Sequence, residues 1–222
     1  MYLKREGNKV VVQFIKPHEF MYIKKDVYNL QNAYKSVNDR ETIKTLQAMT
    51  RENINSILSK ANELNHVVEQ FMDQKLTKAM ADKLLEDIHA FVLPFNQPTD
   101  NEVEKAFKKV KKLKMPTWSE YDLRDLSYVG WNDKGTQRKY IMLNQNGQLI
   151  GYSGTISPNI QRSVCAICHE ISNVTLFLTK TKSSGDGTYT KKGNYICHDS
   201  IRCNNQLSDL TGLNNFIEVI DK

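Results

Sequence analysis

A chain of 222 residues with 40% hydrophobic and 25% charged side chains has the composition of an ordinary globular protein, long enough to bury one or two cores. Lys and Arg number 31 against 25 Asp and Glu, a net charge of +6 that suits an anionic partner without requiring one. No apolar run approaches the roughly 18 residues of a membrane span. Residues 1–16 lack the apolar region and small-residue cleavage site of a signal peptide, so the expected compartment is the cytoplasm, where thiols stay reduced.

The first sixteen residues read as a basic extension without an assigned role. From Pro17 onward, Phe20, Ile23, Val27, Leu30, Tyr34 and Val37 recur at the steps of one helical face, and Pro17 suits a first-turn position. Asn38-Asp39 breaks that run and caps the next, whose stripe is Ile43, Leu46, Ile54, Ile57 and Leu58. A third segment carries Leu64, Val67, Val68, Phe71 and Met72. A fourth, opening near Thr77, carries Met80, Leu84, Leu85, Ile88 and Phe91. Narrow stripes joined by short connections predict antiparallel neighbours, hence a four-helix bundle over residues 1–94.

Pro94 and Pro98 bracket a stretch that cannot continue a helix, which puts the boundary of a second domain, 95–222, there. Thr99-x-x-Glu102 has capping-box spacing, and Val103, Ala106, Phe107, Val110 and Leu113 predict a helix running to Pro116. Lys105, Lys108, Lys109, Lys111, Lys112 and Lys114 would then occupy its other face, as a solvated surface or as a stripe for nucleic acid. Beyond Pro116 the pattern turns to strands. Arg138 to Asn144 and Gln148 to Ser157 flank Asn146-Gly147, a type I′ hairpin signal. Val174 to Thr181 and the run toward Cys197 form a second pair, joined by a mobile loop at Ser183 to Gly187. Ser200 to Asp221 predicts helix, broken at Gly212. The fold class is therefore α+β, a helical bundle followed by an α/β domain.

All four cysteines lie in that second domain, as Cys165-x2-Cys168 and Cys197-x5-Cys203. Two thiolates two residues apart fold onto one side of a tight knuckle, and two pairs complete one tetrahedral zinc site. The order of knuckle, hairpin and helix start resembles a treble clef, with a second spacer wider than usual. Other readings stand beside it. Cys165-x-x-Cys168-His169 matches a haem-attachment pattern, though that chemistry follows export and leaves Cys197 and Cys203 unexplained. His169 or His198 could replace one thiolate, and a redox pair or unligated thiols are further alternatives. A zinc deaminase would need an H-x-E pair together with P-C-x-x-C, but Val164 precedes the first cysteine and no H-x-E occurs. Phosphate-binding loops, dinucleotide fingerprints, H-E-x-x-H and nucleophile elbows are also missing, so a non-catalytic binding protein is expected.

Particular segments carry a resemblance. Tyr34 to Thr42, Phe107 to Pro116, Glu120 to Leu123, Val129 to Asn132, Arg138 to Ile141, and the run from Asp186 through Cys197 to Leu207 resemble the FusB-type fusidic acid resistance proteins, as does the overall cysteine spacing. The likeness runs from about Pro17 to the end; the extension before it, and Val164 where a family member carries an aromatic residue, are departures. The resemblance implies a structural Zn2+ held by Cys165, Cys168, Cys197 and Cys203, and a monomer that binds elongation factor G. It further implies that the protein meets the ribosome only indirectly, helps the factor leave, and so relieves fusidic acid. Lys192, Tyr195 and Phe216 match residues of the family's contact face. The rival expectation is a zinc-stabilised RNA-binding translation module using Lys105, Lys108, Lys109, Lys111 and Lys112.

Overall fold

The computed structural model describes residues 2–6, 9–182 and 189–221, which fall into two compact units, Met1–Leu93 and Pro94–Lys222. The loop expected at Ser183 to Gly187 lies outside the described residues.

The first unit opens with an antiparallel pair, β1 (Tyr2–Glu6) and β2 (Lys9–Gln13), where only an extension was expected. Four helices follow: α1 (Pro17–Ser36), α2 (Arg40–Leu58), the two-turn α3 (Asn65–Phe71) and α4 (Lys78–His89). Their starts have identifiable causes. Glu19 reaches back to the Lys16 amide at 2.8 Å, Asp39 accepts from the Thr42 amide at 2.7 Å, and Thr77 accepts from the Met80 amide at 3.3 Å. The early end of α3 is held by side chains from other helices. Gln47 Nε2 donates to the Met72 carbonyl at 2.6 Å, Tyr34 Oη donates to the same carbonyl at 3.1 Å, and Gln31 donates to Leu76 O at 3.2 Å.

The apolar stripes read from the sequence form one core, with Phe20, Ile23, Val27, Leu30, Ile54, Leu58, Val67, Phe71, Leu85 and Ile88 all buried. Met80 departs from its expected place: it is 53% exposed, and the neighbouring Ala81, at 0%, takes the inward position. Ile15 also belongs to this core and forms a parallel bridge to Val92, so the end of the extension is structural.

In the second unit α5 (Asp100–Ala106) begins with the expected Thr99/Glu102 capping box but stops far short of Pro116. This corrects the lysine helix: of the six lysines only Lys105 is helical. The cause is tertiary. Phe107 leaves helical geometry to seat its ring edge-on against Trp131 and Tyr140, at centroid distances of 5.5 and 5.6 Å. A side chain at position 151 would meet that ring at 2.7 Å, so Gly151 makes room for it. The following segment is fixed by Trp131, whose indole N–H donates to Lys114 O at 2.7 Å.

Five strands then form an antiparallel meander in chain order: β3 (Val129–Asp133), β4 (Arg138–Gln145), β5 (Gln148–Val164), β6 (Ile171–Lys182) and β7 (Tyr189–Cys197). Asn146 and Gly147 have φ of 51° and 79°, the paired positive values that a type I′ turn requires. β5 runs past the expected Ser157 because a register shift between Ile156 and Ile160 bends it without ending its pairing to β6. The chain closes with α6 (Ser200–Asn204) and α7 (Thr211–Asp221). The helix break falls at 205–210 and not at Gly212, which is the second residue of α7. A Cβ there would lie 2.4 Å from Ile167 O and 2.9 Å from Ala166 O, so glycine lets α7 approach the cysteine knuckle. We expect Gly212→Ala to cost about 1–3 kcal/mol through overpacking. Urea denaturation should show the loss in the second unit, with the helical transition of the first unmoved.

Candidate metal centre

The site assembles from three places. β5 delivers Cys165 into a knuckle closed by the His169 amide donating to Cys165 O at 2.9 Å, with His169 in the left-handed region at φ 59°. β7 ends at Cys197. Asp199 caps α6 by accepting from the Ile201 and Arg202 amides, at 2.9 and 3.2 Å, and so turns Cys203 inward.

All four thiols are buried, and their sulfur atoms lie within 4.8 Å of one another. The closest pairs, Cys165 to Cys203 and Cys168 to Cys197, are 3.8 Å apart. A disulfide needs about 2.0 Å. A tetrahedron with zinc–sulfur bonds of about 2.3 Å has edges of about 3.8 Å, so the sulfur cage fits zinc. Two amides, of Ile167 and Cys197, donate to Cys165 Sγ at 3.3 Å, the bonds a buried thiolate needs. Hydrogen bonds from Cys168, Cys197 and Cys203 hold the Cys165 thiol far below its ordinary range, while hydrogen bonds with Cys165, Cys168 and Cys197 push Cys203 up, so the four sulfurs titrate as one coupled group.

The histidine alternatives fall away in this geometry, because neither ring belongs to the sulfur cluster. His169 is exposed, with Nε2 beside Gly212. The backbone carbonyl of His198 accepts from Lys139 Nζ at 2.9 Å and from Asn132 Nδ2 at 3.0 Å. Lys139 is fully buried and also donates to Asn132 Oδ1 at 3.0 Å; burial pulls its ammonium down to about 8, against the attraction of Cys203 and its neighbours.

Sequence reasoning missed this lysine, although strand parity points to it: Lys139 shares its face of β4 with buried Ile141 and Leu143. Asn204 was missed as well. It is 1% exposed and saturates its amide by accepting from the Ser127 and Tyr128 amides and donating to Tyr128 O and Ser200 O. That single side chain ties α6 to the start of β3.

The three expected contact residues are placed differently from one another. Tyr195 is 38% exposed, opposite Leu176 in the β6–β7 register, and its carbonyl accepts from the knuckle amide of Ala166 at 2.9 Å. Lys192 is half-buried, opposite Thr179. Phe216 is 3% exposed and packs edge-on to Phe177 at 5.6 Å, so it belongs to the core under the sheet and not to the surface. Val164 and Ile171, cross-strand partners flanking the knuckle, are 54% and 56% exposed, an apolar pair the sequence reading did not group.

Knuckle, β6–β7 hairpin and α6 in this order, closing on four thiols, define a treble-clef zinc protein, and the site is that of a structural zinc. The family model for the elongation factor G-binding protein N-terminal domain matches residues 14–96, and that for the FBP C-terminal treble-clef zinc-finger matches residues 103–214. Among solved structures, one described as the fusidic acid resistance protein FusC is 39% identical, with a TM-score of 0.88, over 96% of this chain and 100% of that one. The comparison with curated proteins finds no match. The chain belongs to the elongation factor G-binding protein family.

Zinc binding at such sites is worth about 10–16 kcal/mol apparent, comparable to the stability of a whole domain. Removing it with a chelator, or substituting Cys168→Ser, should therefore unfold the second unit and leave the α-helical circular dichroism of the first. Because zinc displaces protons from thiols, affinity should fall as pH falls. Retention of native β-sheet resonances after metal loss would contradict this account.

Proposed function

We propose that this protein binds elongation factor G, promotes its release from the ribosome, and thereby rescues translation stalled by fusidic acid. The observation that carries the reading is membership of the elongation factor G-binding family across both units, together with the full-length likeness to FusC. The role is one of binding. A site closed by four thiolates keeps no coordination position for water or substrate, and the reading requires no chemical step on the drug. The protein acts in the cytoplasm as a monomer and meets the ribosome through the factor.

The proposed docking face is the zinc-braced edge of the second unit. Tyr195 supplies a rigid amphipathic anchor, with the exposed Val164 and Ile171 beside the same knuckle and Lys192 three residues earlier on β7. Phe216 supports that face from beneath through Phe177. Cys165, Cys168, Cys197 and Cys203 hold the zinc, and Ala166 transmits the knuckle's position directly to the Tyr195 carbonyl. Release follows if the protein binds the factor's released conformation more tightly than its trapped one, since equal affinity for both would shift nothing.

Purified chain mixed with elongation factor G should elute as a one-to-one complex in size exclusion. Tyr195→Ala should weaken that complex by at least about 1–2 kcal/mol in calorimetry, and Cys197→Ser should abolish it. Absence of a complex with the zinc-loaded wild type would defeat the proposal.

A further inference from the structure

The break of α5 at Phe107 has a second outcome besides filling the core. Lys105, at the end of the helix, and Lys108 and Lys109, in the turn that follows, become one wall of a groove of 590 Å³. Its other wall comes from the sheet: Arg138 of β4, Lys180 of β6 and Lys191 of β7. Residues far apart in the sequence thus place six cations around one depression, with Asp221 the single carboxylate on its lining. All six are exposed, and no described carboxylate forms an ion pair with any of them.

The register makes the arrangement costly. Lys180 and Lys191 are direct cross-strand partners in the β6–β7 ladder, where like charges are destabilising. The sheet residues between the walls include the small or hydroxylic Gly151, Ser153, Gly154, Thr155 and Thr179, beside Ile150, Tyr152 and Leu178, which are partly buried. None of the large apolar side chains left exposed on the second unit, Ile160, Val164, Ile171, Tyr195, Ile201 and Val219, lines this groove. Its apolar lining is buried or half-buried, so no exposed aromatic or aliphatic side chain offers a protein partner an anchor there, while lysines with no described carboxylate partner and neighbouring hydroxyls are the groups that meet phosphate oxygens.

We infer that this groove binds the phosphate backbone of an RNA strand, without reading its sequence. The surface differs from the stripe expected from the sequence, because Lys111 and Lys112 do not line it and Arg138, Lys180 and Lys191 do. Choosing RNA over another polyanion rests on the function proposed above, because a partner of elongation factor G works beside ribosomal RNA. The electrostatics of the groove do not rest on it.

The test uses the full zinc-loaded chain and a fluorescein-labelled single-stranded RNA of mixed sequence, with anisotropy read over a salt series. The wild type should bind with affinity falling linearly in log salt. Lys180→Gln/Lys191→Gln should weaken binding about tenfold at moderate salt and flatten the slope by about 1.4, from two phosphate contacts at about 0.7 each. Lys105→Gln/Lys108→Gln/Lys109→Gln should weaken binding from the opposite wall and flatten the slope by about 2, from three contacts at about 0.7 each, whereas Lys60→Gln/Lys83→Gln in the first unit should change nothing. Calorimetry with elongation factor G on the same variants should show unchanged affinity, so loss of RNA binding and failure of the docking proposal give separate readouts. Wild-type chain that ignores RNA, groove variants with an unaltered salt slope, groove variants that lose the factor instead, or binding to anionic lipid vesicles in place of RNA would each overturn the inference.

Discussion

Four sulfur atoms must meet within a few ångströms although Cys165 and Cys203 are 38 residues apart, and the second unit is arranged around that requirement. A knuckle, a strand end and a helix start are each too short to hold position alone. The sheet supplies two of the three anchors, since Cys165 follows the last residue of β5 and Cys197 closes β7, with β6 paired between them. α6 has only five residues and cannot be stable by propensity. Its position is fixed by the Asp199 cap, by the four hydrogen bonds of Asn204, and by the bond Cys203 makes to the metal.

The charge at this centre has to be balanced as well. Four thiolates around a divalent cation leave a net charge of −2, buried among Ile167, Val174, Ile196 and Leu213. Amides donating to Cys165 disperse part of it. Lys139 supplies a positive charge, held by the His198 carbonyl one residue beyond a ligand. A buried lysine in the middle of a strand is expensive in isolation, and the field of the sulfur cluster is what offsets that cost here.

Much of this was legible in the sequence wherever one local rule was unopposed. The helical stripes of the first unit, the Asn146-Gly147 turn and the convergence of the cysteines each follow from spacing alone. The failures share a cause, which is that a long-range contact outweighed a local preference. Continued helix through Lys114 is what the periodicity dictates, yet seating Phe107 among Trp131, Tyr140 and Gly151 buries more apolar surface than another helical turn would. Gly212 reads as a helix breaker and is used instead for close approach to the knuckle. Phe216, expected at the contact face from the family resemblance, is enclosed in the core against Phe177.

The same hairpin carries both proposed surfaces, and strand geometry keeps them apart. Along β7 the chain passes from Lys191, beside the basic groove, to Tyr195, beside the knuckle, in four residues, so both side chains leave one face of the sheet and distance along the strand is what separates them. At about 3.3 Å per residue, that separates the two by roughly 13 Å along a single rigid strand. Zinc braces one end of this strand, through Ala166 and Cys197, and the β6 ladder continues to the other end, with α7 packed against the strand. The proposed docking face therefore lies at the metal-braced end, while the fold that carries both surfaces needs the metal. In this arrangement the proposed apolar contact sits where the backbone is tied to the metal centre, and the proposed long-range electrostatic contact, which tolerates a looser geometry, sits farther along the same strand.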